Sequence, residues 1–240
     1  MKAAGHTDQV RLYLSSEHAC GYLPARGARN AYLDPEYALD PTRYGQLLGQ
    51  GFRRSGVHVY RPHCAGCQSC LAARIPVREF TPSRSQRRCQ RRNADLSLSI
   101  AHDLSDEHFA LYGRYLAARH AGGGMEGGNQ DAFHAFLECV WNDTEFWELR
   151  APTGQLMAVA VTDAVPRALS AVYTFFDPQE TARGLGNFAV LTQVQIARGR
   201  GLDYVYLGYW VPGSAKMDYK QGFQPLELLT PQGWSRVAAN

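Results

Sequence analysis

Three evenly spaced cysteines are the first residues in this chain that could do chemistry. Cys64, Cys67 and Cys70 are each three positions apart, and Cys20 could supply a fourth sulfur. Four thiolates can hold zinc in a tetrahedral site or can ligate an iron–sulfur cluster. Reduced, partly exposed thiols are the alternative, and the spacing does not decide between the two. The four cysteines are therefore candidate ligands of a structural zinc ion or iron–sulfur cluster.

The same part of the chain carries a local excess of arginine. Residues 53–92 contain ten arginines and one acid, Glu79, so the formal charge of this segment is +9, whereas that of the whole chain is +3. A guanidinium can hold a phosphate through two parallel hydrogen bonds, so a block of arginines suits a nucleic-acid backbone. A solvated basic face is the alternative. The interleaved aromatic residues Phe52, Tyr60 and Phe80 favour nucleic acid.

Two lysines and two tyrosines near the end of the chain could act on a substrate. Lys216 and Lys220 are two of only three lysines in the chain, and they flank Tyr219. A lysine ammonium can pair with a carboxylate or a phosphate, and a pair of solvated loop charges is the alternative. Tyr209 and Tyr219 could donate a hydrogen bond to an oxyanion or carry a proton. Tyr209 could equally be a core aromatic whose hydroxyl is already bonded.

Length and composition restrict the class of protein. The chain has 240 residues, of which 45% are hydrophobic and 20% charged, so it can bury a full core as one large domain or two small ones. The first residues, MKAAGHTDQV, lack the apolar stretch of a signal peptide. No run approaches the roughly 18 apolar residues that a membrane span needs. We therefore expect a cytoplasmic protein with reduced cysteines.

The first hundred residues show few regular patterns. Apolar and polar residues alternate over 10–16 and over 96–101, which predicts strands. Residues 20–62 are rich in Pro, Gly, Arg and Tyr and have no clear period, so irregular structure with short elements is expected there. A Pro and a Ser followed by helix formers predict a helix over 84–93. Residues 1–100 are expected to form a small N-terminal region rich in Cys and Arg.

The rest of the chain has stronger periodicity. Helical spacing predicts helices over 105–120 and 131–141, separated by a Gly-rich loop from Gly122 to Gly128. The later segments are predicted as strands over 145–150, 156–162 and 168–176, a helix over 185–200 and a strand over 203–209. This order of elements is the core of the GNAT acyltransferase fold, which residues 101–240 therefore resemble. The fold class predicted for the whole chain is α/β (α+β).

The GNAT resemblance directs attention to two sets of residues. Asp163, Ser170 and Tyr173 lie on or beside the central strands, where GNAT-type sheets place reactive groups, although Asp163 could also be a turn residue shortly before Pro166. The GNAT fold holds the pyrophosphate of coenzyme A at a helix start with the pattern Arg-x-x-Gly-x-Gly/Ala. Here the corresponding residues, Arg183-Gly184-Leu185-Gly186-Asn187-Phe188, keep the glycines and lose the full pattern, which argues against coenzyme A.

Three stretches of sequence together carry a resemblance to one family. The first is Cys20-Gly-Tyr-Leu-Pro-Ala-Arg26 with Tyr32-Leu-Asp-Pro35. The second runs from Gly51-Phe-Arg-Arg-Ser-Gly56 through Tyr60-Arg-Pro-His-Cys64 to Arg84-Ser-Gln-Arg-Arg88. The third runs from Tyr206-Leu-Gly-Tyr-Trp210 through Lys216-Met-Asp-Tyr-Lys220 to Pro225-Leu-Glu227. On these residues the chain resembles, over nearly its whole length, the bacterial aspartate/glutamate leucyltransferases, relatives of the eukaryotic arginyl-tRNA–protein transferases.

The resemblance implies a transferase that moves leucine from leucyl-tRNA to the amino terminus of proteins beginning with Asp or Glu, which marks them for degradation. The implied partners are leucyl-tRNA and such proteins, without DNA or a membrane. Since an aminoacyl-tRNA is already an activated ester, catalysis requires no cofactor, and positioning of the acceptor amine should dominate. The residues expected to contact tRNA are Arg78, Arg84, Arg87, Arg88 and Arg91. One or two of these arginines could instead bind the carboxylate of the acceptor.

Two other functions fit parts of the sequence. A GNAT N-acetyltransferase would use acetyl-CoA, but it needs a complete pyrophosphate loop and has no use for the basic N-terminal segment. A non-enzymatic, metal-stabilised nucleic-acid-binding protein would bind DNA and uncharged tRNA as well as charged tRNA, and it would unfold under chelation. The choice of leucine over another donor amino acid rests on the family resemblance alone.

Overall fold

The computed structural model describes residues 10–119 and 129–237, which form a mixed α/β fold. The strands are β1 (Leu12–Leu14), β2 (His18–Ala19), β3 (Gly27–Ala28), β4 (Asn30–Leu33), β5 (Arg53–Ser55), β6 (His58–Pro62), β7 (Leu71–Pro76), β8 (Ser97–Ala101), β9 (Thr144–Arg150), β10 (Leu156–Val165), β11 (Ala168–Phe176), β12 (Tyr204–Trp210), β13 (Glu227–Thr230) and β14 (Gly233–Arg236). The α-helices are α1 (Pro41–Gly49), α2 (Arg84–Arg92), α3 (Asp106–Arg119), α4 (Gln130–Leu137) and α5 (Leu185–Gly199). Short 3₁₀ helices span Thr181–Arg183 and Asp218–Gly222.

An eight-stranded sheet with the order β14-β13-β7-β12-β11-β10-β9-β8 forms the centre of the molecule. Among the described strands, β11 and β12 are the one parallel pair, because the crossover through α5 returns the chain in the same direction. Their pairing ends where Ser170 lies opposite Tyr206, although the two strands continue to Phe176 and Trp210. The sheet therefore opens between β11 and β12 at their carboxyl ends, and we call this opening the strand gap.

Helices cover both faces of this sheet. Successive residues of a strand point to opposite faces, so Ala158 and Ala160 of β10 join one core cluster, while Val159 and Val161 join another. The first cluster includes residues of α2 and α5, and the second includes residues of α3 and α4. A third cluster packs α1 and a four-stranded sheet, with the order β1-β4-β6-β5, against the end of β10 and the following strands. The gap therefore lies within a sheet that has helices packed on both of its faces.

The periodic segments of the sequence are confirmed in the structure with small shifts of their ends. The helix predicted over 84–93 is α2, the strand predicted over 96–101 is β8, and the elements predicted between 145 and 209 are β9 to β12 with α5. The helix predicted over 131–141 ends earlier, at Leu137. The Gly-rich loop predicted from Gly122 to Gly128 lies outside the described residues.

Several elements were not predicted from the sequence. Irregular structure with short elements was expected over 20–62, and the structure shows which elements these are, namely α1 and the strands β3 to β6. The strands β7, β13 and β14 were missed as well, and β7 lies in the middle of the large sheet, between β13 and β12. The division at residues 100 and 101 stays a prediction, although strands from both sides of it share this one sheet.

None of the helices in the described parts of the chain combines the length and apolar character that a membrane crossing requires.

Candidate functional site

A β-bulge in β12 marks the edge of the strand gap. Opposite β7, Tyr206 pairs with Arg74 and Tyr209 pairs with Ala72, so β12 contains one extra residue between these pairs. Gly208 lies in this stretch with a φ of +75°, a left-handed conformation that costs glycine little. The segment 211–222, which carries both candidate lysines, follows directly after the end of β12.

Two buried basic side chains hold the backbone of this bulge. The Nη2 atom of Arg53 donates to the carbonyl oxygen of Gly208 at 3.1 Å. The Nζ atom of Lys220 donates to the carbonyl oxygen of Tyr209 and lies 3.3 Å from the Sδ atom of Met217. Lys220 is only 4% exposed, and burial, with a smaller contribution from the charge of Arg53, lowers its pKa to about 7. The Nζ atom of Lys220 is thus hydrogen-bonded to the protein's own backbone, and we infer that Lys220 stabilises the bulge.

Tyr209 lies directly after Gly208 and is buried. Its hydroxyl donates to the carbonyl oxygen of Gly51 at 2.8 Å, and burial raises its pKa. The guanidinium carbon of Arg53 lies 5.5 Å from the centre of the Tyr209 ring and 5.4 Å from that of Tyr206. The geometry agrees with the alternative in which Tyr209 is a core aromatic whose hydroxyl already has a partner.

The four candidate metal ligands are neighbours in space beside the end of β12. Cys70 directly precedes Leu71, which pairs with Trp210, the last residue of β12. Burial raises the pKa of the Cys70 thiol to about 11, and the charges of Cys64, Cys20 and Cys67 contribute further. The thiols predicted to act together are therefore brought together by the fold.

The arrangement of these thiols does not by itself fit a preformed metal site. Among residues 10–119 and 129–237, no group of three or more His, Cys, Asp and Glu side chains is arranged so that it could hold a metal ion. The six cysteines are all free, and Cys89 is buried against the start of α5. A zinc ion or an iron–sulfur cluster at Cys20, Cys64, Cys67 and Cys70 stays a prediction of the sequence.

A cavity of about 390 Å³ lies between two loops next to these thiols. Its walls are the segment from Cys20 to Pro24 and the segment from Gly213 to Lys216. Lys216 is the one cation in these walls, and the walls contain no acidic residue. Tyr219 lies one turn further along and is 45% exposed. Of the two candidate lysines, Lys216 is therefore the one that a dissolved substrate can reach.

Asp163 is not a turn residue, and that alternative is wrong. It lies within β10, opposite Thr144 of β9 and Ser170 of β11. Its two carboxylate oxygens accept hydrogen bonds from Arg54 at 2.6 and 2.7 Å, and both side chains are fully shielded from solvent. We therefore assign Asp163 a supporting role in the fold, because it has no surface that a substrate could touch.

The two other candidates on the central strands lie at the gap. Ser170 is almost fully buried at the last paired position of β11. Tyr173 follows on the unpaired part of β11, and its buried hydroxyl has no hydrogen-bond partner among the described residues. The indole nitrogen of Trp210, on β12, is also buried and has no hydrogen-bond partner among the described residues. The two groups lie on opposite faces of the sheet, because Tyr173 packs with the cluster of α3 and α4 and Trp210 packs with the cluster of α2 and α5.

Helix α2 carries most of the arginines that the sequence suggested as tRNA contacts, and we call their exposed side chains the arginine face. Ser83 caps the helix in a reciprocal capping box with Gln86, and the amide of Gln86 also donates to the carbonyl oxygen of Gly222 at 2.9 Å. The buried positions of the helix are Gln86 and Cys89. The predicted contact residues Arg84, Arg87, Arg88 and Arg91 are all exposed, as is Arg78, which lies 3.7 Å from Asp203.

Most of these exposed arginines are free to bind an anion. Within the described residues, the side chains of Arg84, Arg88 and Arg91 make no hydrogen bond or ion pair, whereas Arg87 donates to the carbonyl oxygen of Pro82. Arg53 and Arg54 belong to the same basic segment, but they are buried and cannot contact tRNA as the exposed arginines can. This difference was not predicted from the sequence. Their position directly after Phe52, at the start of a short strand, was the only local signal.

The turn from Arg183 to Gly186, at the start of α5, is packed against the end of α2. The side chain of Asn93 donates to the carbonyl oxygen of Arg183 at 2.8 Å, and the Sγ atom of Cys89 lies 3.6 Å from the carbonyl oxygen of Gly184. The guanidinium of Arg183 pairs with Asp95 at 2.8 and 3.0 Å. This turn therefore lacks the free arginine that a pyrophosphate cradle of the GNAT type needs.

Comparison with known proteins identifies the family. The model of the arginine-tRNA-protein transferase N terminus matches residues 18–88, and that of the C terminus matches residues 107–230. An aspartate/glutamate leucyltransferase of Stenotrophomonas maltophilia is 52% identical over 233 residues, which are 95% of this chain and 93% of the relative. One of Saccharophagus degradans is 42% identical over 228 residues, 95% of this chain and 97% of the relative.

A solved structure shares the fold at low sequence identity. It is a C-terminal domain (DUF2156) assigned to lysylphosphatidylglycerol synthetase from Agrobacterium fabrum, with a TM-score of 0.50 and 14% identity. The match covers 69% of this chain and 61% of that one. The resemblance found in the sequence motifs is confirmed by the full-length relatives, and the chain belongs to the aspartate/glutamate leucyltransferase family, within the arginine-tRNA-protein transferases.

Proposed function

We propose that this protein transfers leucine from leucyl-tRNA to the amino terminus of proteins that begin with Asp or Glu, and so marks them for degradation. The observation that carries the proposal is the 52% identity to an aspartate/glutamate leucyltransferase over 95% of the chain. The N-terminal and C-terminal matches to arginine-tRNA-protein transferase supply the class of donor, an aminoacyl-tRNA. The protein would act in the cytoplasm, on tRNA and not on DNA.

The reaction needs no cofactor, because the donor is an activated ester. The α-amine of the acceptor attacks the ester carbonyl carbon, and a tetrahedral intermediate with a negative oxygen forms. When the intermediate collapses, the new amide bond remains, the carbon–oxygen bond to the ribose breaks, and the amine proton ends on the leaving hydroxyl. An α-amine has a pKa near ~8, so part of it is neutral at pH 7 without a strong base. The protein must mainly hold the two substrates together and stabilise the oxyanion.

The strand gap is the place where we expect this reaction. Beyond Ser170 and Tyr206, β11 and β12 form no further ladder pairs within the described residues. Of the backbone groups in this part of β12, the carbonyl oxygens of Gly208 and Tyr209 already accept from Arg53 and Lys220. Backbone N–H groups that are held rigidly and lack a partner can donate to a developing oxyanion. The hydroxyl of Tyr173 and the indole of Trp210 are buried donors without partners among the described residues, one on each face of the sheet beside the gap. A GNAT-like use of the opened sheet is therefore part of the proposal.

The tRNA would be held by the arginine face of α2. The free, exposed guanidinium groups of Arg84, Arg88 and Arg91 suit phosphates. Through the contact between Gln86 and Gly222, this helix is tied to the segment that carries Lys220. The phosphate contacts and the gap thus belong to one continuous structure, which fits a donor whose backbone and ester must be held at the same time.

Acetyl-CoA is less well supported as the donor. The turn before α5 is packed by Cys89 and Asn93, and Arg183 is already paired with Asp95. A pyrophosphate at this turn would have to displace that pair. No observation on the described residues favours a second function over leucine transfer.

The proposal is tested by offering the purified protein a set of donors and acceptors. Radiolabelled leucyl-, arginyl- and phenylalanyl-tRNA are each combined with peptides that begin with Asp, Glu, Lys or Ala. We expect labelled peptide from leucyl-tRNA with the Asp and Glu peptides, and much less from every other pair. Equal labelling from arginyl-tRNA, or label on the Lys and Ala peptides, would contradict the proposal. Deacylated tRNA with free leucine is the control, because it lacks the ester.

A further inference from the structure

The cavity between the loops 20–24 and 213–216 has the character of a site for one negative group. Its volume is about 390 Å³, and its walls combine glycine, leucine, proline and alanine with the neutral polar residues Cys20, Tyr22 and Ser214. Lys216 supplies a positive charge, and no wall residue carries a negative one. A single positive charge at the wall of a small, mostly uncharged cavity can balance one negative group. The cavity therefore suits a ligand with one anionic group.

The side chain of Lys216 makes no polar contact that would stabilise the described part of the fold. Its side chain is exposed, and within the described parts of the chain it takes part in no hydrogen bond, ion pair or cation–π contact. Lys220, four residues later, is by contrast buried and bonded to the backbone of Tyr209. The two lysines of this segment therefore have separate roles, and the charge of Lys216 is available for a ligand.

The cavity lies at the end of the sheet where the strand gap opens. The loop 213–216 begins three residues after Trp210, the last residue of β12, and Trp210 pairs with Leu71 directly after the cysteine segment. The gap between β11 and β12 opens towards these same carboxyl ends. A side chain in the cavity would therefore belong to a molecule that approaches the gap from the loop side.

We propose that this cavity binds the acidic side chain of the acceptor's first residue, with the ammonium of Lys216 as its counter-charge. The inference rests on the proposed leucine transfer, and it adds the residue that selects the acceptor. A lysine suits this task because its charge stands on a flexible four-carbon stem, so it can reach both the shorter Asp and the longer Glu. The fixed fork of an arginine would favour one carboxylate position over the other.

The other ligand that Lys216 could take is a phosphate near the end of the tRNA. The exposed arginines of α2 already offer several cations for a chain of phosphates, and none of them is among the cavity walls. The walls offer the one charge of Lys216 among apolar and neutral polar residues, which suits a single carboxylate on a short side chain. The acceptor is therefore the occupant that the observations favour, and the tRNA phosphate becomes an outcome of the test.

The test is a comparison of Lys216→Gln with the wild-type protein, using preformed leucyl-tRNA and peptides that differ only at the first residue. For the wild type, kcat/KM with the Asp peptide should exceed that with the Asn peptide. In Lys216→Gln, KM for the Asp peptide should rise by about tenfold, because a charged partner is lost. The preference for Asp over Asn should shrink by the same factor, while KM for leucyl-tRNA stays unchanged. Lys216→Arg should restore part of the preference.

A second variant and a control separate the outcomes. Lys216→Glu should reverse the preference, so that a peptide beginning with Lys reacts faster than one beginning with Asp. Arg11→Gln removes an exposed charge far along the sequence and should change neither KM nor preference.

If Lys216→Gln instead raises KM for leucyl-tRNA and leaves the Asp preference intact, Lys216 binds the donor and the inference is overturned. If the wild-type protein leucylates no Asp or Glu peptide at all, the proposed function itself fails. The two failures are therefore distinct.

Discussion

Arg54 and Asp163 form an ion pair that is sealed inside the molecule and joins β5 to the central sheet. The Nε and Nη2 atoms of Arg54 lie 2.6 and 2.7 Å from the two carboxylate oxygens, and neither side chain is exposed. Arg54 also donates to the carbonyl oxygen of Leu137 at 3.0 Å and to the hydroxyl of Thr144 at 3.1 Å. Asp163, which the sequence suggested as a reactive group, therefore connects the N-terminal strands to the central sheet.

Breaking this pair should destabilise the protein strongly. Asp163→Asn leaves a buried guanidinium without its counter-charge, which costs about 3–5 kcal/mol of the free energy of unfolding. Replacing both partners by Arg54→Met and Asp163→Leu should cost less than the sum of the two single changes, because no buried charge remains. Urea unfolding followed by circular dichroism measures each value. A stable Asp163→Asn protein that has lost leucine transfer would show that the carboxylate acts in the reaction after all.

The buried Lys220 should make the stability depend on pH. Its folded pKa is about 7, below the value near ~10.4 of a lysine in an unfolded chain. Between these two values the unfolded chain holds a proton that the folded chain has released. The free energy of unfolding should therefore rise with pH in this window, by about 1.4 kcal/mol per pH unit from this group.

Lys220→Met isolates that contribution. Unfolding in urea is measured at pH 7, 8 and 9 for both proteins, and the wild type should gain stability relative to the variant at each step. A difference between the two proteins that stays constant over this range would mean that Lys220 is charged in the fold. The role given to its burial would then be wrong.

Local sequence pattern predicted the elements that carry their own periodicity. Helix α5 has the apolar residues Phe188, Leu191 and Val194 at helical spacing, and the strands β10 and β11 are rich in apolar residues. The capping box of Ser83 and Gln86 was not recognised, but the helix that it starts was predicted. Each of these signals lies within one short segment, so the sequence alone is enough to predict the element.

The missed features depend on contacts between distant segments. β7 has the sequence LAARIP, which has neither clear alternation nor an apolar run, and it is a strand because β12 and β13 pair with it. The basic segment contains both Arg54, which is buried, and Arg88, which is exposed. Residue type predicts exposure for both, since arginine is rarely buried without a partner. The partner of Arg54 lies 109 residues away in the chain, so only the fold could separate the two.

The arginine face of α2 should set the salt dependence of tRNA binding. Changing Arg84, Arg87 and Arg88 together to Gln removes three exposed positive charges from one helix face. Each lost phosphate contact lowers the slope of log K against log salt by about 0.7–0.9. The slope is measured by fluorescence anisotropy of labelled tRNA at a series of salt concentrations, with Arg11→Gln as the control. An unchanged slope in the triple variant would place the tRNA on another surface.

Removal of transition metals should leave the chemistry intact. Leucyl-tRNA brings its own activated ester, so no metal is needed to form the amide bond. Dialysis against 1,10-phenanthroline, with Mg²⁺ kept constant for the tRNA, should leave the initial rate of leucine transfer unchanged. Loss of the rate, with recovery on adding zinc or iron, would mean that the four cysteines hold a metal on which activity depends.

The most direct test of the central claim is a competition between two donors. The purified protein is given an Asp peptide with both leucyl-tRNA and acetyl-CoA present, and the modified amino terminus is identified by mass spectrometry. Our account predicts leucylated peptide at a rate that is the same without acetyl-CoA. Acetylated peptide, with leucyl-tRNA left intact, would contradict it.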